Sequence, residues 1–184
     1  MLVAALDTTS RQGSCALVVD GAVVDEFAGD AALTQASRLP SDLQTLFERR
    51  GVRLSDVEVF AVAVGPGSFT GLRVGIATMQ GLSFATGAPL IGVSALDALA
   101  VIADEPRASD EPSGERRLTA TWVDAWRGEV YAGLYEGHRA IGTVSVTPPL
   151  PEIARMPLAN PMKLNRLMSL STVRASTPLV ATLK

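Results

Sequence analysis

Two aspartates and one glycine-rich loop are the places where this sequence could do chemistry. Asp7 and Asp124 each close an apolar run. Two carboxylates at equivalent strand ends could hold a metal ion and phosphates between them. Residues 64–75 read VGPGSFTGLRVG, with four glycines and Pro66 in twelve positions. Glycine permits close backbone approach and Pro fixes its own φ, so the backbone is being positioned here and another group is meant to come near. A loop of this kind opening a helix invites a phosphate, because helix N-termini carry free N–H groups and a positive dipole end.

The supporting residues are scarce. GPGSFTGLR lacks the Gly-Lys-Ser/Thr ending of a P-loop, no GxGxxG is present, and the only lysines are Lys163 and Lys184. No further acid or lysine at recognisable spacing completes a site around Asp7 and Asp124, so turn capping is the simpler reading of both. The single histidine, His138, falls in a Glu-Gly-His-Arg turn that should face solvent. Cys15, the one cysteine, lies in a strand and reads as a small core residue. Trp122, Trp126 and Tyr131 flank a later hairpin and read as core packing before base stacking. A peptidase is disfavoured by the same shortage of ligands and bases.

The elements that must position these groups follow from periodicity. Residues 2–6 form a buried strand. Residues 14–20 and 22–28 flank Asp20-Gly21, a pair suited to a type I′ hairpin turn. Between residues 30 and 50, Leu33, Ala36, Leu39, Leu43, Leu46 and Phe47 recur at helical spacing, and Gly51 stops the run. Pro40 predicts a kink, or a helix proper that begins near Leu39. Residues 57–64 are nearly all apolar, as in a strand covered on both faces. A helix over about 69–85, a strand over 90–93 and a helix from Ser94 to about Ala103 complete the first part.

Residues 104–117, DEPRASDEPSGERR, are charged, aperiodic and rich in Pro, and mark a linker between a lobe at 1–103 and a second at 118–184. Strands at 118–125 and 128–136 repeat the opening: VDAWRGEVYAGLYEG answers LDTTSRQGSCALVVDG, with Asp124 matching Asp7, Gly128 matching Gly13 and Gly137 matching Gly21. Too few residues follow for a full second copy. The tail holds six of the eleven prolines, and only residues 160–171 look helical; it is expected to pack poorly.

Composition narrows the function classes. With 184 residues and 47% hydrophobic content the chain can bury a core without disulfides, and its single cysteine allows no internal bridge. No run reaches the ~18 apolar residues of a membrane helix, the N-terminus lacks a basic leader, and a cytoplasmic location is expected. Residues 1–150 carry 11 Arg against 18 acids, whereas residues 151–184 carry five basic groups against one Glu. So acidic a body is a poor autonomous binder of nucleic acid.

The segment after the loop is small-sided. Gly71 and Gly75 stand four apart, with Thr78 and Leu82 continuing that face, and Ala77, Gly81 and Ala85 form a neighbouring stripe. Such stripes let another backbone approach, either the chain's own sheet or a helix of another subunit.

GPGSFTGLRVG, together with ALDTTS, AVAVGPG, GLSFATGAPLIGVSALDALA and VDAWRGEVYAGLY, resembles the TsaB (YeaZ) family over about residues 1–136. That resemblance implies an α/β fold, the duplicated ribonuclease H-like fold of actin, sugar kinases and Hsp70, with the second lobe truncated here. It implies a non-catalytic scaffold subunit in the synthesis of N6-threonylcarbamoyladenosine beside the tRNA anticodon. The partners implied are the catalytic paralogue TsaD, the ATPase TsaE, tRNA through the complex, and a second copy when alone. No cofactor is expected on this chain by itself, with ATP only at the complex or the cleft. Carried over by position, the partner surface would comprise Leu39, Leu43, Phe47, Gly67, Phe69, Thr70, Gly71, Arg73, Val74, Gly75, Thr78 and Leu82. The rival is an autonomous nucleotide-dependent phosphotransferase using Asp7 and Asp124. Thr34 stands where relatives often have His, and from about Met156 the likeness is expected to stop, as truncation or a frame change would produce.

Overall fold

The computed structural model describes residues 1–104, 118–126, 128–148 and 179–183. The expected linker, apart from Asp104, and the expected helix at 160–171 lie outside them. The chain divides into two compact units, Met1–Ala95 and Leu96–Lys184.

The first unit opens with β1 (Leu2–Asp7), β2 (Ser14–Val19) and β3 (Ala22–Ala28), joined as an antiparallel meander. Asp20 and Gly21 both take positive φ, 49° and 84°, as the predicted hairpin requires. α1 (Gln35–Arg50), β4 (Val59–Gly65), α2 (Phe69–Thr86) and β5 (Leu90–Ser94) follow. β4 lies parallel to β1, and β5 parallel to β4, which gives the order β3-β2-β1-β4-β5. Three antiparallel strands continued by two parallel ones is the ribonuclease H-like arrangement expected for an α/β fold related to actin, Hsp70 and the sugar kinases.

The core of this unit lies on one face of the sheet. Ala4 and Leu6 of β1, Cys15 and Leu17 of β2, and Phe60 and Val62 of β4 share that face by the two-residue alternation of a strand. Leu39, Leu43 and Leu46 of α1 and Met79 of α2 close over them. Both helices therefore pack on the same side, whereas the apolar sequence of β4 suggested one covering on each. The opposite face, with Ala5, Ala16, Ala61 and Ala63, is half-buried.

α1 corrects the alternative that the helix proper begins near Leu39. The helix begins at Gln35, with the Thr34 side chain accepting a hydrogen bond from Ser37 N, and runs through Pro40 without ending. Pro40 lies in the second turn and is exposed, so one backbone hydrogen bond is lost while Leu39 and Leu43 stay seated on the sheet.

The second unit contains nearly all of α3 (Ala95–Asp104), then β6 (Leu118–Trp126), β7 (Glu129–Glu136), β8 (Arg139–Ala140), β9 (Ser145–Thr147) and β10 (Leu179–Leu183). β6 pairs antiparallel with both β10 and β7, and β7 pairs with β8 and β9. Leu96 and Ala100 of α3 are buried with Tyr135, and the Tyr135 hydroxyl donates to Asp97 Oδ1 at 2.6 Å. The division thus falls before α3, where the charge run had suggested a boundary after it. The tail also supplies a strand, β10, which its composition did not reveal.

Candidate functional site

The glycine-rich loop connects β4 to α2, and the group that comes near it is the chain's own β1 turn. Ser68 N donates to Thr9 O at 2.7 Å. A Cβ on Gly67 would stand 2.6 Å from Thr9 Cβ, one on Gly71 would stand 2.6 Å from Gln35 Oε1, and one on Gly75 would stand 2.9 Å from Thr8 Cγ2. Thr8 and Thr9 are accordingly buried. The glycines let the loop and the first two turns of α2 lie directly on Thr8 and Thr9, which is the internal reading of the small stripe.

α1 fixes the same turn from the other side. Gln35 Nε2 donates to Ser10 O at 2.6 Å and to Thr8 O at 3.3 Å. Arg38, buried, donates to Asp42 and to Gln12 O. Asp42 is buried with it, so the pair satisfies charge inside the unit while tying α1 to the loop. Thr8 Oγ1, Gln35 Oε1 and Arg38 Nε are buried without a hydrogen-bond partner, so this junction is tightly packed rather than fully satisfied.

Asp7 is engaged in the turn as well: Thr9 N donates to its Oδ1 at 2.7 Å. That is the capping arrangement of an aspartate at a strand end. Asp124 occupies a different position in its strand, because β6 continues to Trp126 through an irregularity in the pairing with β7. Asp7 ends its strand, whereas Asp124 lies two residues before the end of its own. Among the described residues no group of three or more His, Cys, Asp or Glu side chains could hold a metal ion. His138 lies exposed in the turn after β7, and Trp122 is buried in the second unit's core.

The predicted interface residues separate into two sets. Leu39, Leu43, Gly71 and Gly75 are buried within the first unit, and Phe47, Val74 and Leu82 pack half-buried against its core. They face inward because the apolar stripe of each helix must cover the sheet. Gly67 and Thr78 are half-buried too. Phe69, Thr70 and Arg73 point outward.

Around those three the structure exposes positions outside the partner surface carried over from the family, of which Ala77, Gly81 and Ala85 belong to the neighbouring small stripe read from the sequence. Ala77, Gln80, Gly81, Phe84 and Ala85 are exposed on the same side of α2. Phe69 is 73% exposed and Phe84 92%. Arg73 lays its guanidinium over the Phe69 ring, 5.4 Å from the centroid. An eighteen-residue helix with one charged side chain and two bare phenylalanines presents a solvent face suited to burial. The signal was available: Arg73, the lone charge, marks the outward direction, and Phe84 stands on that side. Among the described residues no helix is long and apolar enough to cross a membrane.

The family model described as TsaD: tRNA N6-adenosine threonylcarbamoyltransferase matches residues 29–176. That match runs beyond Met156, where the likeness was expected to stop. The tRNA threonylcarbamoyladenosine biosynthesis protein TsaB of Escherichia coli (strain K12) is 35% identical over 136 residues, 74% of this chain and 55% of that protein. A tRNA N6-adenosine threonylcarbamoyltransferase of Solidesulfovibrio magneticus is 49% identical over 80 residues, 44% of this chain and 21% of that one. Among solved structures, YeaZ from Pseudomonas aeruginosa superposes with a TM-score of 0.66 at 35% identity, over 80% of this chain and 68% of that chain. The chain spans a little over half the length of the Escherichia coli relative.

Proposed function

The chain belongs to the TsaB (YeaZ) family, and from that premise we propose that it is a non-catalytic scaffold subunit that activates a TsaD-like paralogue in making N6-threonylcarbamoyladenosine on tRNA. The observation that carries the reading is the outward face of α2, where Phe69, Ala77, Gly81 and Phe84 lie exposed on a helix whose inward glycines lock it to the body of the unit. A rigid helix with a bare apolar face is a docking element. In this reading the TsaD-like chain covers that face, a TsaE-like ATPase joins the pair, and tRNA is engaged through the complex. The same face supports a homodimer when the partner is absent, and the whole works in the cytoplasm.

The filled turn supports the non-catalytic part of the proposal. The rival phosphotransferase would use the Asp7 carboxylate for a metal ion and phosphates, whereas here Asp7 Oδ1 accepts from Thr9 N and the adjoining Thr8 and Thr9 are buried under α2. Mixing the chain with its TsaD-like paralogue and following size-exclusion elution tests the proposal. Co-elution, with modification of tRNA restored in the mixture and absent with either protein alone, is expected. Separate elution with and without a TsaE-like ATPase and tRNA would refute it, as would ATP turnover by the isolated chain that is lost in Asp7→Asn.

A further inference from the structure

Arg73 is the only charged residue among the eighteen of α2, and it lies on the exposed face, between Phe69 and Phe84, that a partner would cover. Among the described residues it has no ion pair; its guanidinium is held against Phe69 instead. Contact with an aromatic ring orients the planar fork and reduces the freedom it would lose on binding. Covering that fork with an apolar surface would strip its hydration with nothing in return, which is strongly unfavourable.

The neighbouring helix supplies no counter-charge. Of the two acids on α1, Asp42 is buried with Arg38, and Glu48 sits in the last turn beside Arg49 and Arg50. A second copy docked α2 to α2 would place two arginines in one interface, with no acid on either helix to meet them.

We propose that Arg73 takes a carboxylate from the partner chain, and that this makes the α2 face select a different chain over a second copy of its own. The inference rests on the pairing proposed above and deepens it by specifying the partner's chemistry. The occupant carries an apolar, small-sided surface to receive Phe69 and Phe84, and an aspartate or glutamate opposite Arg73. Self-association then uses the apolar stripe alone and is the weaker of the two contacts.

The test uses the full chain and its TsaD-like paralogue, with affinity measured by titration calorimetry at low and high salt. Self-association is followed in parallel by sedimentation equilibrium. Arg73 is exposed, so Arg73→Gln should fold as the unsubstituted chain does, which a thermal melt checks. Arg73→Gln is expected to weaken pairing with the paralogue on the order of 30-fold and to flatten its salt dependence, while self-association stays equal or tightens. Arg73→Lys, which keeps the charge, should recover part of the loss and the salt dependence. Unchanged pairing by Arg73→Gln at both salt concentrations would overturn the inference and leave the scaffold proposal standing. So would a loss of self-association equal to the loss of pairing. If the unsubstituted chain fails to bind the paralogue at all, both fall together.

Discussion

Gly75 of α2 lies against Thr8 at the end of β1 so closely that a Cβ on Gly75 would stand 2.9 Å from Thr8 Cγ2 and nearer still to its Oγ1. The contact joins the glycine-rich segment to the first strand and decides what the small stripe is for.

Gly75→Ala should destabilise the protein. Alanine improves helix propensity by about 1 kcal/mol, but the added methyl must displace the buried Thr8 side chain, and overpacking of this kind costs about 1 to 3 kcal/mol. A net loss of up to about 2 kcal/mol in urea unfolding is expected. Thr8→Ala in the same chain should recover much of it, because the two substitutions then share one space. Additive effects in the double variant would show that the contact is not the cause.

Phe84→Ser should do the reverse. The ring is 92% exposed, so its removal is expected to change stability by less than about 0.5 kcal/mol. In the proposed assembly the same ring is buried by the partner, and its loss should weaken pairing severely. Chemical unfolding and co-elution on the same preparations separate the two. A clear drop in stability with pairing intact would mean that α2 docks nothing through this side chain.

The buried pair on α1 makes a third distinction. Arg38→Met leaves Asp42 as a buried, unpaired carboxylate and frees the Gln12 carbonyl, with an expected cost of about 3 to 5 kcal/mol. Replacing both, as Arg38→Met with Asp42→Leu, removes the stranded charge and should cost markedly less than the single change. The comparison is a double-mutant cycle read by urea denaturation. A double variant no more stable than Arg38→Met would place the energy in the Arg38 contact to the β1–β2 loop instead.

Much of the first unit was legible because its signals are local. Asp20-Gly21 specifies its own hairpin, the alternation of β1 and β2 states which side chains share a face, and Gly51 and Gly87 end their helices in the left-handed conformation. The orientation of α2 was less legible, because its inward and outward stripes are both small. Gly71 and Gly75 look as suited to a partner as Ala77 and Gly81 do. What separates them is the position of Thr8, more than sixty residues earlier in the chain, which no helical period contains. Pro40 misled for a related reason: its local penalty is real, but the burial of Leu39 and Leu43 on either side of it outweighs one missing hydrogen bond. The charge run at 104–117 suggested a boundary, whereas α3 joins the second unit through Leu96, Ala100 and the Asp97 bond to Tyr135.

Cys15 gives a pH-dependent prediction. The thiol is buried between β2 and the core, and burial, with the nearby Asp42 charge as a lesser cause, pushes its pKa up from 9.0 to about 11. Below pH 9 the thiol is protonated in both the folded and unfolded chain and contributes no pH dependence. From about pH 9 to about pH 11 the unfolded chain releases this proton while the folded chain keeps it. The unfolded state then binds fewer protons, so stability falls as pH rises across that window. Cys15→Ala should remove this part of the slope, although it lowers stability at every pH by leaving a small void. Alkylation gives the second readout: at pH 8 the native thiol should react far more slowly than in urea, since it is enclosed in the core. Equal rates in the two states, or an unchanged alkaline slope in Cys15→Ala, would show that Cys15 is neither shielded nor shifted as its place in the core requires.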